Sequence, residues 1–280
     1  IAGVAGIDLV LIVIAADEGI MPQTEEHIHI LSYLKIEQAI IVLTKINKVD
    51  EELLELVHED VKEFMQHTPF SNSPIVQVDS VEGVGMHELK RHIENSLKNA
   101  PNRNESAPFR MPIDQVFSIN GVGTIARGTI YEGSVQKEDT LYILPSNQVT
   151  KARQVQVHSV DVGQAAAGQR AAIQLAGIAK QEVKRGEILV KSPENFTKTN
   201  IVDLSLQVAP NLTSAVKQRS PIKFHTGASE VYGTIVFFDR NKLEGKNEEI
   251  VCQVRLQDDI VVKRGDRFVL RRATPMETIG

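Results

Sequence analysis

The chain opens on an apolar run, Ile7 to Ala16, carrying one charge at Asp8 and ending in Asp17-Glu18-Gly19. It has no basic residue before it and a carboxylate inside it, so it reads as a buried strand and not as a signal-peptide core. A helix-like segment follows from Thr24 to Leu34, then a second apolar run, Ala39 to Leu43. Leu53, Leu54, Val57, Val61, Phe64 and Met65 then recur at helical spacing. Asp50 stands where an N-cap is needed, with Glu51 and Glu52 favourable in the first turn. Ile75 to Val78 is a third short strand, and Met86, Leu89, Ile93 and Leu97 mark one face of a last helix. Unbroken apolar strands alternating with helices predict a parallel sheet covered on both sides. Ligands of such sheets sit beyond the carboxyl ends of the strands. Here those ends are Ala16-Asp17, Thr44-Lys45-Ile46-Asn47 and Asp79-Ser80.

The pattern changes after Lys98 to Pro108, a polar, proline-bounded linker. Short β-branched runs, Val116–Ile119, Gly123–Ile130, Thr140–Leu144 and Val155–Val160, are punctuated by glycine turns, as in a small β-barrel. A second polar joint, Ser192 to Asn200, precedes another strand-rich block. The expected fold class is α/β plus all-β, with an α/β domain over 1–100 and small β-barrels over 108–191 and 200–280.

Composition narrows the chemistry. The 280 residues are 42% hydrophobic and 24% charged, ordinary for two or three globular domains. A net charge of −5 argues against a wholly basic nucleic-acid binder. The sum hides an asymmetry: residues 1–107 carry 8 Lys+Arg against 18 Asp+Glu, a net of −10, while residues 108–280 carry 23 against 18, a net of +5. An acidic front and a basic back imply different partners, and a phosphate backbone is one candidate for the back. The single cysteine, Cys252, excludes a disulfide framework and fits a reducing, cytoplasmic setting. No apolar run reaches the roughly 18 residues needed to span a bilayer, so no membrane partner is expected.

Catalytic and metal motifs are absent. There is no His-Glu-x-x-His, and His27 and His29, two apart, would not share a helix face, so no metal site and no catalytic residue is assigned. Gly121-Val122-Gly123 leads into a strand-like stretch, where a dinucleotide fingerprint would need a helix. No Gly-x-x-x-x-Gly-Lys-Ser/Thr phosphate loop occurs. What remains is the loop after the second strand, where a Lys followed two residues later by a carboxylate would stack on a purine and pair with its edge. Two registers are open: Thr44-Lys45-Ile46-Asn47 at the strand end, and Asn47-Lys48-Val49-Asp50 three residues on, which matches an Asn-Lys-x-Asp pattern by letter. Position favours the first, because Asp50 is better explained as a helix cap.

Together these residues resemble a known family. Ala-Ala-Asp-Glu-Gly-Ile-Met-Pro-Gln-Thr-Glu-Glu-His (15–27) and Val-Leu-Thr-Lys (42–45) look like translational GTPases of the elongation factor Tu type. Pro112 to Thr129, Ala-Gly-Gln-Arg-Ala-Ala (167–172) and Lys-Arg-Gly-Glu-Ile-Leu (184–189) look like their second domain. Thr44 before Lys45, Gly-Asp-Arg-Phe-Val-Leu-Arg (265–271), His225-Thr-Gly-Ala-Ser-Glu-Val and the ending Glu-Thr-Ile-Gly resemble the bacterial selenocysteine-specific factors within that group. The resemblance implies the C-terminal half of a P-loop-type GTPase domain followed by two β-barrels. It implies GTP with Mg²⁺ as cofactor, selenocysteyl-tRNA and the ribosome as partners, and an mRNA hairpin read only through a further C-terminal region. The guanine site would map to Thr44, Lys45, Asn47 and Ser80, and the aminoacyl pocket to Asp114, Gln115 and Arg170. A guanidinium there makes physical sense, because a selenol is more acidic than a thiol and is carried as an anion.

The departures from the family pattern carry their own expectations. The sequence starts downstream of the phosphate loop, the first switch and the Asp-x-Pro-Gly-His segment, so this chain alone is expected not to hydrolyse GTP. Asn47 stands where the family has Asp and offers a neutral amide to guanine's donors; losing a charge-assisted pair costs about 1.5–3 kcal/mol. Asp79-Ser80 replaces Ser-Ala, and Gln115 replaces an Arg, removing one of two cations from the pocket. Two other readings stay open: a degenerate, non-enzymatic tRNA- or RNA-binding relative, and another translational GTPase of the same fold. With no strand before it, Ile7–Ile14 is expected to be a bare edge through which the chain self-associates, or the front third to be loosely folded. A clean monomer by size exclusion with a well-protected first strand by hydrogen exchange would contradict that.

Overall fold

The computed structural model describes residues 6–98, 103–210, 212–245, 248–274 and 277–280. The chain divides into two compact units, Ile7–Asn102 and Arg103–Gly280, the latter grouped with Ile1–Gly6.

In the first unit the order is β1 (Val10–Ala15), α1 (Pro22–Tyr33), β2 (Ala39–Thr44), α2 (Glu51–Gln66), β3 (Ile75–Gln77) and α3 (Met86–Lys98). The strands form a parallel sheet in the order β1-β2-β3, with Ile12 opposite Ile41 and Val42 opposite Val76. Asp50 caps α2 as its position suggests, its Oδ1 accepting the Leu53 N–H at 2.8 Å. Cover on both faces holds for β2, whose Ala39 to Leu43 are all buried. It fails at β1, which is the edge of the sheet. Leu11 and Val13 share a face with Ile40 and Val42 by register, and Leu89 and Ile93 of α3 pack with Ile40, Val42, Val76 and Val78. That helix lies over β2 and β3 and leaves Leu11 41% and Val13 59% exposed.

The second unit is almost wholly β. Its first part runs β4 (Arg110–Pro112), β5 (Gln115–Ile119), β6 (Gly123–Thr129), β7 (Ser134–Gln136), β8 (Thr140–Leu144), β9 (Gln148–Val157), β10 (Val160–Asp161), β11 (Gln164–Ala166), β12 (Arg170–Leu175) and β13 (Ile188–Val190). The main sheet has the order β4-β13-β8-β9-β12-β6-β5, with β10 on β9. It curls around a core of Met111, Ile113, Ala126, Ile130, Leu141, Ile143, Val155 and Ile173. The second part runs β14 (Thr197–Gln207), β15 (Val216–Lys217), β16 (Pro221–Thr226), β17 (Ser229–Phe237), β18 (Lys242–Leu243), β19 (Glu249–Val262), β20 (Phe268–Arg272) and β21 (Glu277–Thr278). Its sheet, in the order β14-β19-β17-β16-β20-β21, encloses Leu206, Ile222, Phe224, Ile235, Cys252 and Val254.

Two sequence expectations need correcting. The stretch Val155–Val160 is the end of β9 and the start of β10, because His158 and Ser159 turn with φ of 51° and 65° in a two-residue hairpin loop. β9 also starts earlier, at Gln148. A bulge hides it: against β12, Gln154 faces Gln174 but Ala152 faces Leu175, which leaves Arg153 over. Inward residues switch from even (Thr150, Ala152) to odd (Val155, Val157), so no single alternation spans the strand. The polar joint Ser192–Asn200 is also partly strand, since β14 begins at Thr197 with both faces polar and exposed.

The two β parts meet through the outer face of one sheet. Leu144, Ile188 and Val190 form a buried cluster with Tyr142, Phe196 and Val261 of β19. Beside it the Arg110 guanidinium makes two bonds to Asp266, at 2.9 and 2.7 Å, and Lys263 pairs with Glu132 at 2.9 Å.

Candidate functional site

Two places gather the polar residues singled out in the sequence, one in each unit. In the first unit the strand ends converge on one edge, as parallel order requires. Thr44 closes β2, its hydroxyl donating to the Ile14 carbonyl at 3.4 Å. Lys45 follows in the left-handed region, φ 58°, and starts a 3-10 turn over Ile46–Lys48 that leaves Asn47 exposed. The Lys45 ammonium reaches back to the end of β1, 2.9 Å from Glu18 and 3.1 Å from Asp17. Those bonds, to Glu18 first, hold it above the usual lysine range. Past β3, Asp79 is buried and its Oδ1 accepts the N–H groups of Val81 and Glu82 at 2.8 and 3.1 Å, which fixes the turn that exposes Ser80. Its Oδ2 is buried with no hydrogen-bond partner among the described residues. Among those residues no group of His, Cys, Asp or Glu is arranged to hold a metal ion.

In the second unit Asp114 lies between β4 and β5, its N–H donating to the Arg127 carbonyl at 2.9 Å. Its carboxylate takes both Nη atoms of Arg170, at 2.5 and 2.9 Å, a bidentate pair on the rim. Gln115 follows, and Asp114 and Gln115 line an open cleft of about 530 Å³ with Val116, Phe117, Lys180, Val183 and Arg185. The sequence reading missed Phe117, Lys180 and Arg185 of this lining, and Arg127, which neighbours Gln115 without being one of the lining residues. Arg127 faces Gln115 across the β5–β6 ladder, donates to Gln115 Oε1 at 3.3 Å and lies 5.0 Å over the Phe117 ring. Its place was legible in principle. A turn at Asn120-Gly121-Val122 fixes the hairpin register and sets 115 against 127.

Comparison with known proteins agrees with this architecture. Residues 1–99 match the family described as elongation factor Tu GTP binding domain, and residues 123–190 match elongation factor Tu domain 2. The chain is 40% identical over its full length to the selenocysteine-specific elongation factor of Desulfomicrobium baculatum, covering 44% of that protein. Among solved structures, a bacterial selenocysteine-specific elongation factor EF-Sec superposes with a TM-score of 0.87 at 32% identity, over 100% of this chain and 45% of that one. Elongation factor SelB from Methanococcus maripaludis, in complex with the GTP analogue GppNHp, superposes with a TM-score of 0.84 at 29% identity, over 95% of this chain and 62% of that one. The chain thus spans about 44% of the length of the first curated relative it matches. It belongs to the elongation factor Tu-like proteins, as a homologue of the selenocysteine-specific elongation factors.

Proposed function

We propose that this chain is the tRNA-facing portion of a cytoplasmic selenocysteine-specific elongation factor, which carries selenocysteyl-tRNA to the ribosome. The observation that carries the reading is the cleft of the second unit: a bidentate Asp114–Arg170 pair beside Gln115, in a chain homologous over its whole length to factors of that name. The domain division in this proposal is 1–100, 108–191 and 200–280, with the aminoacyl end of the tRNA held by the middle part. No residue of this chain is assigned to an mRNA hairpin.

GTP with Mg²⁺ is the cofactor the family implies, and in the whole factor its hydrolysis supplies the switch between tRNA-holding and tRNA-releasing states. The described residues fit only part of it. Thr44, Lys45, Asn47 and the Ser80 turn form a polar edge suited to a purine base, with the Lys45 stem as a flat apolar surface. Asn47 brings an amide and no charge, so it accepts from one guanine donor and presents a donor of its own to the other. No glycine-rich phosphate loop and no metal-holding cluster stands among the described residues, and none of them is assigned a hydrolytic role.

Binding separates this reading from its rivals. The 280-residue chain is expected to bind selenocysteyl-tRNA more tightly than seryl-tRNA by fluorescence titration. Equal affinity for the two would point to another translation factor of the same fold. Selective binding that stays indifferent to GTP in the whole factor would point to a non-enzymatic relative.

A further inference from the structure

The polar edge of the first unit holds a carboxylate with an unused oxygen. Asp79 is 3% exposed, and its Oδ1 accepts the Val81 and Glu82 N–H groups at 2.8 and 3.1 Å. Its Oδ2 is enclosed as well, with no hydrogen-bond partner among the described residues. Leaving a buried carboxylate oxygen unpaired is costly, so a donor that reaches it is strongly favoured. The neighbouring strand end carries such a donor. β2 and β3 run parallel with Leu43 opposite Gln77, and the Val78 N–H donates to the Leu43 carbonyl at 2.7 Å. Continued past the strand ends, that register brings Asp79 level with Lys45. There the left-handed Lys45 leads the chain into the 3-10 turn that carries Asn47. Asn47 is exposed, and no hydrogen bond holds its amide among the described residues. Lys45 does not compete for Asp79, because its ammonium is bonded to Glu18 and Asp17.

We propose that Asp79 is the positioning residue of this edge: its Oδ2 accepts a hydrogen bond from the Asn47 Nδ2 and so turns the Asn47 Oδ1 toward a bound purine. The inference rests on the edge holding a purine, which is the GTP part of the proposed function. A free amide presents its oxygen or its nitrogen with equal ease. Tied through its nitrogen to a carboxylate, it presents oxygen alone. An amide oxygen accepts two hydrogen bonds, which suits the two donors of guanine, N1–H and the amine at C2. Turned the other way, the same amide offers an N–H to the C2 position and suits xanthine, which has a carbonyl there. Asp79 thereby sets which purine is preferred without touching it. The bond is charge-assisted, and burial of Oδ2 keeps water from competing for it.

The test is the ratio of xanthosine diphosphate to GDP dissociation constants, read by displacement of fluorescent, ribose-labelled GDP from the whole factor. Three proteins are compared: unmodified, Asp79→Asn, and Asp79→Asn combined with Asn47→Asp. The unmodified factor is expected to prefer GDP. Asp79→Asn keeps an oxygen for the Val81 and Glu82 N–H groups and replaces only the orphan oxygen, by a donor. It should lower the ratio about tenfold to a hundredfold, the worth of a hydrogen bond to a charged group. Adding Asn47→Asp should restore most of the ratio, because it exchanges the two side chains and keeps one carboxylate bonded to one amide. The urea midpoint of the 280-residue chain should not move with Asp79→Asn, since the turn keeps its cap. A ratio unchanged by Asp79→Asn, with or without a fall in that midpoint, would leave Asp79 a turn cap and overturn the inference. So would an unmodified factor that prefers xanthosine diphosphate, or an exchange that restores nothing. A factor that binds neither nucleotide would overturn this inference together with the GTP reading, and would leave selective binding of selenocysteyl-tRNA standing.

Discussion

Asp266→Ala is expected to destabilise the Arg103–Gly280 unit by about 3–5 kcal/mol, the cost of breaking a buried ion pair from one side. The reason is the burial of its partner. Arg110 is 6% exposed, sits under Tyr131 with its guanidinium 5.3 Å from the ring centroid, and makes two short bonds to Asp266. Burial works against its charge, and Asp266 outweighs that to hold the guanidinium above its usual range. Removing the carboxylate leaves a buried cation whose Nε already lacks a partner among the described residues. The loss is structural as well, because Arg110 belongs to β4 and Asp266 to the loop before β20, so the pair joins the two β parts. Urea unfolding would measure it, and a double replacement, Arg110→Met with Asp266→Leu, should recover much of the loss. A cost below about 1 kcal/mol for Asp266→Ala, the level of an exposed pair, would show that the pair is solvated.

Gly128→Ala should cost about 3 kcal/mol, at the upper end for overpacking, although it adds one methyl. Gly128 lies within β6, where β4 crosses it. A Cβ there would stand 2.0 Å from the Pro112 carbonyl oxygen and 3.1 Å from its carbon. The obstacle is backbone, so no rotamer change relieves it, and β4 would have to move away from β6. Close approach of another backbone is the usual reason for a glycine inside a strand. Gly163→Ala is the matching control: nothing lies within 4 Å of its Cβ position and its φ is not positive, so a change within about 0.5 kcal/mol is expected. Equal urea midpoints for the two variants would remove the steric account.

Much of this fold was legible because its elements announce themselves locally. The helical spacing from Leu53 to Met65, with Asp50 before it, gave both the extent of α2 and its cap. The apolar runs gave the strands of the parallel sheet. Where reading failed, the cause lies in tertiary structure. The phase change in β9 depends on a bulge against β12, which no alternation rule detects. The bare face of β1 depends on how far α3 reaches across the sheet. Thr197 to Thr199 look like linker because their strand is polar on both sides, and only pairing with β19 makes it one.

The same division holds for the site. Asp114 and Arg170, 56 residues apart, were singled out only through a family resemblance, and the ladder order is what brings them within bonding distance. Arg127 escaped notice because it stands as one arginine in a run of small strand residues, Thr124-Ile125-Ala126-Arg127-Gly128-Thr129. What places it beside Gln115 is tertiary: an amide across the ladder and a ring two residues further along β5.

The central claim is that this chain holds the aminoacyl end of selenocysteyl-tRNA between these residues. The most direct measurement compares the affinities of the unmodified chain and of Arg170→Ala for selenocysteyl-tRNA and seryl-tRNA. Removing Arg170 strips the Asp114 carboxylate of its counter-ion and turns a balanced rim negative. Selenocysteyl-tRNA binding should therefore weaken about tenfold more than seryl-tRNA binding, in keeping with a charge-assisted contact. Equal losses for the two would contradict the account.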